Sequence, residues 1–114
     1  MSYSPITTHV LDTATGFPAE GIHAVLSHQL DGEFVEIAKG HTNSDGRIPD
    51  LLAGKTLATG IYRMHFALSD YYKKSQTQAF YPYADIVFIV DDTQLHHHIP
   101  LLLSPFGYST YRGS

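Results

Sequence analysis

Short apolar segments recur along the chain, separated by clusters of Gly, Asp, Asn and Pro, the spacing of a β-sandwich or barrel rather than of a helical protein. About eight strands are predicted on that pattern. The clearest runs from Thr59 to Leu68, where Tyr62, Met64, Phe66 and Leu68 alternate with Ile61, Arg63, His65 and Ala67 at the strand period of two, so the first set is predicted to face the core. Other strands are predicted at Thr7 to Asp12, Ile22 to Leu30, Phe34 to Gly40, Asp85 to Val90, His97 to Leu103 and Tyr108 to Arg112, with a short one around Leu51. Leu30-Asp31-Gly32-Glu33 reads as a hairpin turn, because Asp-Gly tolerates the positive φ angles of a type I′ turn, and Asn43-Ser44-Asp45-Gly46 reads as a second turn. The single predicted helix spans Ser69 to Gln76, with Ser69 or Asp70 as N-cap and Lys73-Lys74 near the C-terminal end, where cations favour the helix dipole.

At 114 residues the chain is expected to be one domain, 1–114. Its 43% hydrophobic and 16% charged residues can build a core, although a domain of this size buries only about 60–70% of its unfolded surface, so oligomerisation would add useful burial. A formal charge of −4 and the lack of any Lys/Arg run argue against nucleic-acid binding, which needs clustered positive charge. There is no cysteine, which excludes disulfides, thiolate catalysis and Cys-ligated zinc and suits a reducing, cytoplasmic setting. The longest apolar runs, Ile86 to Val90 and Ile99 to Leu103, fall far short of the roughly 20 residues a membrane helix requires. Met1-Ser2-Tyr3-Ser4-Pro5 lacks the basic and apolar regions of a secretory signal.

Four segments carry polar residues that a purely structural strand would not need. In Thr7-Thr8-His9-Val10-Leu11-Asp12, alternation puts His9 on one face with Thr7 and Leu11; alone, it reads more readily as a structural histidine than as a catalytic one. In Thr42-Asn43-Ser44-Asp45-Gly46-Arg47, the guanidinium after a tight turn is either a solvated loop residue or a clamp for planar oxygen groups. His96 and His98 share a strand face in His96-His97-His98-Ile99-Pro100, so the pair resembles two imidazole ligands of a metal site. No nearby third ligand completes such a site, so no metal is expected and a base or electrophile role fits better. The run from Ser104 through Ser114 reads as a closing strand that ends in a polar hook at Tyr111, Arg112, Gly113 and Ser114. His41 and His65 are read as structural. Without a Cys nucleophile, a Gly-x-Ser-x-Gly elbow or a phosphate-cradling loop, the chemistry that remains is histidine-assisted attack of water on a polarised carbonyl, with arginine orienting the substrate.

Taken together, Thr7 to Gly16, Thr42 to Arg47, and the run from His98-Ile99-Pro100-Leu101-Leu102-Leu103-Ser104-Pro105 to Tyr111-Arg112-Gly113-Ser114 resemble the transthyretin-related 5-hydroxyisourate hydrolases over the whole chain. The terminal Tyr-Arg-Gly-Ser is the most specific element, since the hormone-carrying transthyretins share the fold and lack that ending. The resemblance implies an all-β, transthyretin-like sandwich of two four-stranded sheets with one short helix. It also implies dimers joined edge to edge, paired face to face as a homotetramer with the active sites at the dimer–dimer interface. It implies that His9, Arg47 and His98 form the central polar set, with Ser114 among the catalytic residues and Tyr111, Arg112 and Gly113 binding the substrate. No cofactor is implied. The implied reaction opens 5-hydroxyisourate to 2-oxo-4-hydroxy-4-carboxy-5-ureidoimidazoline in urate breakdown, with His9 or His98 as the base. A non-catalytic carrier of a small ligand is the rival reading, and a histidine metal site in a cupin-like barrel a third.

Overall fold

The computed structural model describes residues 4–113. The first sheet joins β1 (Ile6–Asp12), β2 (Phe17–Pro18), β7 (His97–Ser104) and β8 (Gly107–Thr110) in the order β2-β1-β7-β8. The second joins β3 (His23–Leu30), β4 (Glu33–His41), β5 (Gly60–Ala67) and β6 (Tyr83–Val90) in the order β4-β3-β5-β6. One short helix, α1 (Ser69–Lys74), links β5 to β6. The predicted sandwich of two four-stranded sheets and one helix is therefore the architecture observed.

The period-two pattern fills the space between the sheets. Tyr62, Met64, Phe66 and Leu68 are buried as predicted, and they pack in one cluster with Val10, Leu26, Leu101 and Leu103. Each such side chain contributes roughly 1.5–3 kcal/mol by leaving water. The same alternation along β1 sends Ile6, Thr8, Val10 and Asp12 inward and leaves Thr7, His9 and Leu11 half-buried on the outer face. Asp12 accepts the backbone N–H groups of Ala14 (3.0 Å) and Thr15 (3.2 Å) and the Tyr71 hydroxyl (2.7 Å), which anchors α1 to the end of β1. Burial, with Asp12 close by, pushes the Tyr72 phenol up to about 12.

The Asp31-Gly32 hairpin has φ of 52° and 81° at its two central residues, as a type I′ turn requires. Several predicted boundaries move for identifiable reasons. No strand forms around Leu51: Leu51 and Leu52 are buried, but within a turn in which Ala53 N–H donates to the Asp50 carbonyl and Leu52 N–H donates to Ser4 Oγ. Strand β8 ends at Thr110 instead of Arg112, because the next ladder position on β7 is Pro100, which has no N–H to offer. Helix α1 stops at Lys74, and Gln76 beyond it takes a left-handed φ of 56°. Its N-cap is Leu68, not Ser69 or Asp70, and no side chain caps it; the Ser69 hydroxyl donates to the Pro82 carbonyl instead. The two-residue strand β2 is too short to carry a periodic signal.

Candidate active site

The parallel pairing of β1 with β7 places Thr7 opposite His98 and His9 opposite Pro100. The outer face of this sheet thus gathers Thr7, His9 and His98 although about 90 residues separate the two strands. The Thr7 hydroxyl lies 2.8 Å from His98 Nδ1 and 2.9 Å from His96 Nε2, bridging the two imidazoles.

The third segment is docked against β1 by its own turn. Asn43 Oδ1 accepts the N–H groups of Asp45 (2.9 Å) and Arg47 (3.0 Å), and the Gly46 N–H donates to the Asn43 carbonyl at 2.9 Å. The Gly46 carbonyl then accepts the Val10 N–H at 2.8 Å, and Arg47 forms an isolated bridge with His9. Gly46 has φ of 74°, and an added Cβ would stand 3.3 Å from His9 Cδ2 and press on the Val10 carbonyl oxygen. A side chain at this position would push the turn off the strand. Arg47 is exposed, and with Thr7, Thr8, Ile48, Pro49, His96 and His98 it lines a depression of about 360 Å³.

The C-terminal hook approaches from the other side. Beyond Thr110 the chain leaves the ladder, then returns at Gly113, whose N–H donates to the His98 carbonyl at 2.9 Å. Tyr111 and Arg112, both exposed, line a neighbouring depression of about 320 Å³ against β6 and β7, and His98 borders both depressions. His9, Arg47, His98 and Gly113 are therefore brought together, and Tyr111 and Arg112 stand at the adjoining rim. Ser114 lies outside the described residues.

The His98 ring is half-buried, and its pKa is lowered from the ordinary histidine value first by that burial, then by the Arg47 guanidinium and by His96 and His9. It is held neutral at neutral pH, the state in which an imidazole can accept a proton. Its neighbour His97 points into the core, buried, with neither ring nitrogen bonded to another described group. Among the described residues, no group of three or more His, Cys, Asp or Glu side chains is arranged to hold a metal ion. His65 pairs with Asp85 at 2.6 Å, and the His41 ring packs 4.7 Å from that of His23, both pairs on the other sheet. Alternation shows Thr7 on the His9 face, but its hydroxyl contacts depend on a strand pairing that no local pattern reveals.

Residues 6–113 match the HIUase/Transthyretin family, and the chain belongs to it. The 5-hydroxyisourate hydrolase of Caulobacter vibrioides is 46% identical, with 97% of this chain and 99% of the relative covered. Among solved structures, the 5-hydroxyisourate hydrolase of Klebsiella pneumoniae superposes with a TM-score of 0.81 at 34% identity, covering 96% of this chain and 92% of its own. Sea bream transthyretin in complex with thyroxine superposes with a TM-score of 0.90 at 31% identity, covering 96% and 94%. The described residues include no helix long and apolar enough to cross a membrane.

Proposed function

We propose that this chain is a 5-hydroxyisourate hydrolase that opens the six-membered ring of its substrate to give 2-oxo-4-hydroxy-4-carboxy-5-ureidoimidazoline, acting as a single domain over 1–114 without a cofactor. The observation that carries the reading is the half-buried His98 ring gathered with Thr7, Arg47 and Gly113. Thr7 engages Nδ1, which leaves Nε2 as the nitrogen that takes a proton from water. The oxygen attacks the C6 carbonyl, the bond to N1 breaks, and Arg47 binds the oxygen on which negative charge develops. His9, beside Gly46 on the same face, positions the ring with Tyr111, Arg112 and Gly113. Ser114 would follow directly on this clamp as a catalytic residue.

The carrier reading has support from the likeness to sea bream transthyretin, a protein solved with thyroxine bound. The polar wall of His9, Arg47 and His98 favours catalysis, since such groups are costly to desolvate around an apolar ligand. The site is also open on one side: Arg47 is exposed and Tyr111 is 60% exposed. We infer that a homotetramer closes it. Among the described residues β6 and β8 each form a sheet edge with no strand beyond it, available for pairing within a dimer, and Val87 and Ile89 on β6 are 57% and 67% exposed. The lack of cysteine fits a cytoplasmic setting. The test is to generate 5-hydroxyisourate in situ from urate with urate oxidase and to follow its loss by absorbance. The protein is expected to accelerate the decay; decay at the spontaneous rate would overturn the assignment.

A further inference from the structure

We propose that Thr7 is a positioning residue that selects the tautomer of His98 and joins it to His96 as the outlet for the proton released in each turnover. This inference rests on the hydrolase reading. A threonine hydroxyl has one proton to donate, yet Thr7 Oγ1 lies within hydrogen-bond distance of two ring nitrogens, His98 Nδ1 at 2.8 Å and His96 Nε2 at 2.9 Å. It therefore donates to one ring and accepts from the other, and the tautomers of the two histidines are linked. When Thr7 donates to His96 Nε2, it accepts from His98 Nδ1–H, and the lone pair of His98 is on Nε2, where a base is needed. In the opposite arrangement His98 carries its proton on Nε2 and cannot take one there.

The stoichiometry of ring opening requires an outlet. Attacking water brings two protons. One ends on the leaving nitrogen, which remains an uncharged, acylated nitrogen, and the other departs as the new carboxylic acid ionises. His98 can return the first proton to the leaving nitrogen, but the second has to reach solvent. It binds His98 Nε2; the Nδ1 proton passes to Thr7 Oγ1, and the Thr7 hydroxyl proton passes to His96 Nε2. His98 is left neutral and His96 carries the charge. The positive charge moves from a half-buried ring beside Arg47 and His9 to an exposed one, in the direction that burial and the Arg47 charge both favour. From His96 the proton leaves to water, and rotation of the hydroxyl with rearrangement of the ring protons restores the starting state.

Two measurements test this. Nitrogen-15 NMR of the imidazoles in the unmodified protein at neutral pH reads the tautomers whether or not the protein is active; His98 protonated on Nδ1 and His96 bare on Nε2 is expected. His98 protonated on Nε2 would overturn the relay. Thr7→Val keeps the shape and removes the hydroxyl, and it should lower kcat at least about tenfold, within the loss that misplacing a catalytic group produces, with KM little changed. Thr7→Ser should restore most of the rate and the parental tautomers. A folded Thr7→Val protein with parental kcat, or a Thr7→Ser protein as slow as Thr7→Val, would contradict the proposal. Failure of the parent to accelerate decay at all would instead sink the hydrolase reading, and the NMR outcome would still judge the tautomer linkage.

Discussion

Gly113 packs closely against the His98 side chain: its N–H donates to the His98 carbonyl at 2.9 Å, and an added Cβ would stand 3.0 Å from His98 Cβ and Cγ and closer still to Cδ2. The bridge ties the C-terminal hook to β7 beside His98 and packs it against the imidazole. A glycine is required here for close approach rather than for backbone freedom.

Gly113→Ala should therefore displace the His98 ring or release the hook while leaving the sandwich intact. Small misplacements of a catalytic group cost about 10²-fold in rate. The expected result is a normal far-UV spectrum and unfolding midpoint with strongly reduced kcat/KM. Parental turnover in Gly113→Ala would show that the hook does not position the base.

Acidification tests the protonation state of His98. Burial and Arg47 lower its pKa, so the neutral ring persists below pH 6.5, the ordinary value near which an unperturbed histidine would be half protonated. The acid limb of kcat/KM should have its midpoint below that of a free imidazole, and the His98 titration followed by NMR should move upward when Arg47 is replaced by Ala. The same shift makes the unfolded chain bind the proton more readily, so this group's contribution to stability falls as pH drops from about 6.5 towards the folded value. A midpoint at or above the free-imidazole value would count against His98 as the base.

The buried ring of His97 offers a prediction about stability alone. Both of its nitrogens lack a described partner, and an unsatisfied buried polar group costs about 1–3 kcal/mol. His97→Phe keeps a planar ring and removes the unmet polar atoms, so the urea midpoint should rise. A lower midpoint would mean that the imidazole has a partner supplied by the assembled protein.

Much of this was legible in the sequence because it depends on local periodicity. The alternation of Tyr62, Met64, Phe66 and Leu68, the Asp31-Gly32 turn and the outer-face position of His9 each follow from a few neighbouring residues. Family resemblance supplied the grouping of His9 with Arg47 and His98, which local pattern left as separate ambiguous residues. The Thr7 bridge was not legible, since it depends on the parallel register of β1 and β7, two segments far apart in sequence. The early end of β8 was missed because it is caused by Pro100 on the opposite strand, and the Leu51 turn because buried leucines serve a core equally well from a turn.

The hydrolysis proposed here is assigned to one polar cluster, His98 with Arg47. Its most direct test compares the rate of 5-hydroxyisourate decay, generated in situ, for the parent, His98→Ala and Arg47→Lys at equal concentrations of folded protein. Loss of general-base assistance should slow His98→Ala by about 10²-fold or more. Arg47→Lys should fail too, because a point charge does not reproduce a planar two-pronged donor. Rapid decay with the parent and little acceleration with either variant is the predicted result; parental rates in both variants would place the chemistry elsewhere on the molecule.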